Sequence, residues 1–490
     1  MSNRRLIFYD DARHYHYYVY EPPMSMPEAT ATIDAVAGTG VDTFVWGFGV
    51  GPTVFHNSKH ADVFAAHLDV IPDVASWRAY ENTMSLINRG CDPLDVMIDR
   101  AHEVGMDFIG SLRLTHSSDP ADVKNAHNWQ FKIDHPEWVL KGDDSPDRKN
   151  AFNWVYPEVR AERFAIAEET IARYDVDGLE LDLTFGPYYF EADEVAENMH
   201  VLTDFLRDLR GIAKKAGENK GKSIEIGARI LPTLEANNDT GFDIETWLEE
   251  GLLDFVVPNV YSHMPIDPDF PFEWVRDPAH KGACEVYPAM GSVLGANREE
   301  YAGLEYYRAA ASAYWSRGAD ALYLPWFAWP IGPEQRQILT EIGDRDVLFE
   351  KPKRFYMAPR QDQCVNFGYE APLPVQLDAG ADATPAEVCL TVAKDSGVAD
   401  ATLTLKLGES TSHDGMSVSL NGLELSLDDA TYTTYGYSYS TLEIRLDWDD
   451  LVDGVNELSV AVLSRPAGLS SVVTLEGVEI AVDYVTPKQP

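Results

Sequence analysis

Val176-Asp177-Gly178-Leu179-Glu180-Leu181-Asp182-Leu183-Thr184-Phe185 is the stretch on which the fold turns. Leu179, Leu181 and Leu183 fall on one side of an extended chain, and Glu180, Asp182 and Thr184 on the other, because successive strand side chains point to opposite faces. In a parallel barrel the leucine side meets the surrounding helices. The other side then carries two carboxylates inward near the C-terminal end of the strand, where βα loops build active sites. An uncompensated charge is costly there, so both groups need partners or a function.

Outward from this strand, short β-rich runs alternate with helical patterns eight times before residue 350. The predicted strands are 6–11, 41–49, 106–114, 176–185, 223–231, 253–261, 284–290 and 319–327. Such alternation predicts βα units closing a parallel sheet, a (β/α)8 TIM barrel in the α/β class over residues 1–350. Several helical segments open on Pro or Asp and end on Gly, as in DPLDVMIDRAHEVG. Two connections, 50–91 and 115–152, exceed ordinary loop length on the active-site face and are expected to wall a cleft. From about residue 371 to 490 the pattern changes to short strands separated by turns, which predicts an all-β, jelly-roll-type sandwich. Residues 351–370 read as the linker.

The chain has 490 residues, a formal charge of −41 and 45% hydrophobic residues. That acidity argues against nucleic acid, which needs clustered Lys and Arg. No apolar run reaches bilayer length and no signal-peptide core opens the chain, so no membrane partner is expected and the location reads as cytoplasmic, or secreted if a leader has been removed. Cys91, Cys284, Cys364 and Cys389 show no metal or redox spacing. No cofactor is expected.

The same alternation supplies partners for the carboxylates. The third strand offers Arg113 beside Ser111, and the fifth offers Arg229 beside Gly227. Two arginines beside a carboxylate favour its ionised form, as a nucleophile or transition-state stabiliser requires; the alternative is a buried ion network that holds the barrel together. Glycoside hydrolysis uses two carboxyl groups, one to protonate the leaving oxygen and one to act as nucleophile or activate water. Asp182 is the first candidate. Glu235, in the loop after the fifth strand, is the second, followed by Glu180 and then Glu285. Strand ends also supply Trp46, Asn259, Tyr261, His263, Tyr287, Trp326 and Trp329, with His116 after the third strand. Aromatic rings and hydroxyl-binding groups of this kind suit a carbohydrate cleft.

His14 and His16, after the first strand, raise a metal-dependent amidohydrolase as another reading. The fifth strand has no histidine and the eighth ends LPWFAW without an aspartate, so the further ligands of that class are missing.

The run YDVDGLELDLTF, preceded by FNWVYPEVR and followed by IGARILPTLE, GFDIETWLEEGLLDFVVPNVY and WSRGADALYLPWF, resembles uncharacterised bacterial barrels related to glycosyl-hydrolase-like family ten. The resemblance covers most of the barrel and implies a reaction class, glycosidase, rather than a substrate. Asp177-Gly178 and Asp182 are also similar to the fourth-strand motif of α-amylase-type retaining barrels. That similarity implies Asp182 as nucleophile and Glu235 as acid/base, with Glu180 a departure where that clan has Arg. The chitinase-type pattern fits worse, because Thr184 stands where its catalytic Glu would be. The expectation is a retaining glycosidase acting on an oligo- or polysaccharide, against a non-catalytic carbohydrate-binding barrel.

Overall fold

Eight parallel strands form one curled sheet: β1 (Leu6–Asp11), β2 (Thr43–Gly47), β3 (Asp107–Arg113), β4 (Gly178–Asp182), β5 (Glu225–Ile230), β6 (Phe255–Pro258), β7 (Glu285–Val286) and β8 (Leu322–Leu324). They are seen in a computed structural model that describes residues 6–12, 17–51, 53–142, 148–260, 264–295, 300–357, 359, 367–397 and 399–484. Neighbours follow chain order from β1 to β7, and β8 pairs back onto β1. Between β7 and β8, Tyr323 N donates to Pro288 O at 3.3 Å, and Asp320 N to Val286 O at 3.1 Å. All eight strands fall within their expected ranges.

Contacts divide the chain into one unit of residues 1–262, 271–289 and 320–332 and a second of residues 263–270, 290–319 and 333–490. In the first, helices follow the strands and cover the apolar face. Pro93–Glu103 begins with Pro behind Asp92, whose carboxylate accepts from Leu94 N, satisfying one of the free N–H groups of the first turn. The connection expected over 50–91 is more ordered than a loop: Gly49–Val50 pairs with Thr53–Val54 in a small hairpin, and Val74–Ile87 is a helix capped by Asp73. That helix has no clean apolar stripe in sequence, because its buried side includes Ser76, Asn82 and Thr83.

The second unit holds two antiparallel sheets. One contains β9 (Lys353–Met357), β10 (Val375–Leu377), β12 (Ala399–Gly408), β15 (Thr431–Tyr435), β16 (Tyr439–Leu446) and β18 (Val473–Tyr484). The other contains β11 (Ala386–Val392), β13 (Gly415–Leu420), β14 (Leu423–Glu424) and β17 (Gly454–Ser464). Leu403, Leu405 and Ile480 of the first sheet share one hydrophobic cluster with Val388, Val418 and Val460 of the second. Lys353–Met357, expected within the linker, is instead a strand paired with β18. Its alternation is hidden among charged residues, yet Phe355 and Met357 enter the core.

Candidate active site

Register carries the inward face from strand to strand. Ser111 pairs with Glu180 and Arg113 with Asp182 across β3 and β4; Glu180 pairs with Gly227 and Asp182 with Arg229 across β4 and β5. Parallel partners point the same way, so the two carboxylates lie between the two arginines, all four buried. Arg113 Nε donates to Asp182 Oδ2 at 3.3 Å, and Arg229 Nη1 stands 3.5 Å from the same oxygen. Asp182 Oδ1 faces the Thr184 hydroxyl at 3.1 Å, which also accepts from Asn259 Nδ2 at 3.0 Å.

One layer deeper, Glu180 Oε1 accepts from Arg229 Nε at 2.8 Å and from the Ser111 hydroxyl at 2.7 Å. Burial alone would lower Arg229; Glu180, Tyr323, Asp182 and Tyr9 around it together outweigh that and hold the guanidinium well above its ordinary value. The guanidinium also lies 3.7 Å from the Tyr9 ring centre and 5.2 Å from that of Tyr323. Gly227 is required beneath it, because a Cβ there would overlap the Phe255 ring.

The first strand adds two residues that sequence reasoning passed over. Arg113 Nη2 donates to Asp11 Oδ2 at 2.7 Å and to the Tyr9 hydroxyl at 3.0 Å. Burial pushes Tyr9 above its ordinary range, so its hydroxyl remains neutral. The alternation of LIFYDD puts Tyr9 and Asp11 on one face, but Phe8 and Asp10 make an equivalent set on the other, and the register of the sheet decides between them.

The remaining candidates divide. His116 stacks on His127 with centroids 5.3 Å apart and leans on Phe185, whose ring sits 4.3 Å from the Arg113 guanidinium carbon. This forms an aromatic shelf beside the Arg113–Asp182 pair. Trp326 lies 6.1 Å from Tyr9, and Tyr287 stacks on Phe255 at 5.2 Å while its hydroxyl donates to Glu285. Trp329 is partly buried in the segment after β8. Trp46 points the other way. It shares register with Asp10, whose carboxylate takes the Thr32 hydroxyl of the helix Ala31–Val36, and its ring lies near Tyr17. Trp46 sits one position out of phase with the inward residues Val45 and Gly47, so the strand turns it to the helix side. Glu235 is exposed in the first turn of the helix Leu234–Thr240, behind the Thr233 cap. Tyr261, His263, His14 and His16 lie outside the described residues.

The family described as Glycosyl hydrolase-like 10 matches residues 69–201, which include Arg113, His116, Glu180 and Asp182. The chain is related to that family. It is 20% identical over 215 residues to the glycosyl hydrolase DigH of Escherichia coli, an alignment covering 36% of this chain and 47% of DigH. The chain thus spans about half the length of the curated relatives it matches. Among solved structures, it is similar to alpha-L-fucosidase isoenzyme 2 of Paenibacillus thiaminolyticus (TM-score 0.43, 12% identity, covering 70% of this chain and 48% of that one). It is also similar to the alpha-galactosidase TtGalA of Thermus thermophilus (TM-score 0.39, 13% identity, 71% and 63%). Likenesses this low bear on neither substrate nor mechanism.

Proposed function

We propose that the chain is a retaining glycoside hydrolase acting on an oligo- or polysaccharide, with Asp182 as nucleophile and Glu235 as acid/base. The observation that carries this reading is Asp182 at the C-terminal end of β4, with Arg113 and Arg229 on either side and the aromatic shelf of His116 and Phe185 next to it. The relation to the Glycosyl hydrolase-like 10 family supports the same reaction class. The architecture that goes with it is a closed (β/α)8 barrel followed by a jelly-roll-type sandwich; the hydrogen bonds between the β7 and β8 segments and the core shared by the two antiparallel sheets support that architecture.

In the proposed reaction an Asp182 oxygen attacks the anomeric carbon while the glycosidic C–O bond breaks, and Glu235 gives its proton to the leaving oxygen. Water then attacks the glycosyl–Asp182 ester, returning its proton to Glu235 and freeing Asp182. Asp11 is a weaker candidate for the acid, because its Oδ2 is already the acceptor for Arg113. Exposed Glu235 can exchange protons with water. Glu180, bound to Arg229 and Ser111, fits a positioning role. A panel of chromogenic glycosides and soluble polysaccharides tests the activity, with the product anomer read by NMR. Hydrolysis with retention, abolished in Asp182→Asn, is expected. Undiminished hydrolysis by that variant would sink the assignment. Binding of glycans without turnover would favour the non-catalytic reading.

A further inference from the structure

The face of the β9-β18-β12-β16 sheet turned away from its core is not flat. A groove of ≈ 570 Å³ opens there, along Tyr356, Lys406, Tyr439, Thr441, Glu476 and Glu479. All belong to the C-terminal unit. Two features of the sheet make the hollow. The β12–β18 register slips by one opposite Lys406 and Leu407, which leaves Glu476 as an extra residue on the groove side. Next to it Gly477 contributes no side chain; a Cβ there would stand 3.3 Å from the Lys406 Cβ, a tight approach, and in ordinary contact with Tyr356 and the Met357 carbonyl.

We propose that this groove is a second carbohydrate site, which binds a neutral oligosaccharide. Its volume lies within the ~300–1,000 Å³ usual for small-molecule sites. Its chemistry matches a polyhydroxylated ring. Tyr356 offers an amphipathic ring, which Tyr306 meets edge-on at 5.9 Å, whereas the Tyr439 ring already carries Lys406 Nζ at 4.3 Å and stacks on Tyr435 at 5.0 Å. Arg354 Nη1 and the Tyr306 hydroxyl fix Glu479 at 2.6 and 2.7 Å, and each carboxylate oxygen keeps a second lone pair for a sugar hydroxyl. Burial, then Glu479, push Tyr356 up to about 12, so its hydroxyl stays neutral and both donates and accepts.

Thr441 is only 9% exposed, and its hydroxyl has no hydrogen-bond partner among the described residues. A buried hydroxyl in that state calls for a ligand or water. Glu300, Glu476 and Glu479 outnumber Lys406 along the lining, which disfavours an anionic ligand.

The test is an array of short gluco-, manno-, xylo- and chito-oligosaccharides, with uronic-acid oligosaccharides alongside, probed with the full chain carrying Asp182→Asn so that turnover does not consume the probe. Retention of a neutral oligosaccharide is expected, weakened about tenfold by either Tyr356→Ala or Glu476→Gln. Glu476→Gln is the fold control and should leave the unfolding midpoint unchanged. Retention of no neutral oligosaccharide overturns the proposal, as does equal retention in Glu476→Gln. A loss confined to Tyr356→Ala with a lowered midpoint, or retention of uronic acids alone, also overturns it. The outcome is independent of whether the barrel hydrolyses anything.

Discussion

Arg113 and Asp182 occupy paired positions on adjacent strands, with Nε 3.3 Å from Oδ2 and both side chains buried. The pair does not stand alone. A second nitrogen of the same guanidinium binds Asp11, and Arg229 approaches Asp182 from the other side. Charges taken this far from water cost several kcal/mol each unless geometry and hydrogen bonds compensate. The arrangement therefore couples the stability of the barrel to the placement of the carboxylate proposed for chemistry.

Replacing Arg113 by Met should leave Asp11 and Asp182 buried without their shared cation. Urea unfolding is expected to show a loss of about 3–5 kcal/mol, with a smaller loss for Arg113→Lys, which keeps the charge but not the fork. Equal stability of Arg113→Met and the parent would show that the pair is not structural.

Gly227→Ala should destabilise the barrel by about 1–3 kcal/mol, because the new methyl overlaps the Phe255 ring. Gly227→Ala combined with Phe255→Leu should recover part of that loss, since the smaller side chain vacates the space. A double mutant no better than the single would place the cause in the backbone instead.

Lys132 is buried, and its ammonium donates to the His116 carbonyl at 2.7 Å. Burial lowers it from 10.5 to about 7, with Asp119 opposing. Between these values the unfolded chain binds more protons than the folded one, so this residue makes stability rise with pH by up to about 1.4 kcal/mol per unit. Below pH 7 the full cost of the buried charge remains. The stability of the parent relative to Lys132→Met should therefore climb from pH 7 toward pH 10, and denaturant midpoints at several pH values would show it. A constant difference would mean that Lys132 titrates normally.

If Glu235 is the acid, Glu235→Ala should slow cleavage of substrates with poor leaving groups by about 10²–10⁴. Aryl glycosides that leave as stable phenolates should be much less affected. Asp182→Asn should slow both kinds. A uniform effect of Glu235→Ala, or none, would move the acid role to another group such as Asp11.

Period-2 alternation was enough to orient β3, β4 and β5. Leu179 and Leu181 are apolar and Glu180 and Asp182 are not, and a strand has only two faces, so the inward set followed. With it followed the expectation that Arg113 and Arg229 would approach Asp182. Applied to β1, the same rule separates Tyr9 and Asp11 from Asp10 but leaves open which set points inward, because both faces are apolar and both end in Asp. Applied to β2 it would have removed Trp46, because the inward phase there runs through Val45 and Gly47.

Strand identity and facing were local properties, carried by residues two apart, and the amino-acid order alone determined them. Which charges share a guanidinium was not local. Asp11 and Asp182 are far apart in the chain and meet on Arg113 only because β1, β2, β3 and β4 lie side by side in one sheet. Glu235 follows β5 closely in the chain, yet the Thr233 cap starts a helix there and leaves its side chain in solvent. Lys353–Met357 became a strand because β18 offers an open edge for its backbone and a core for Phe355 and Met357. In each case long-range packing chose among positions that local pattern had left equivalent.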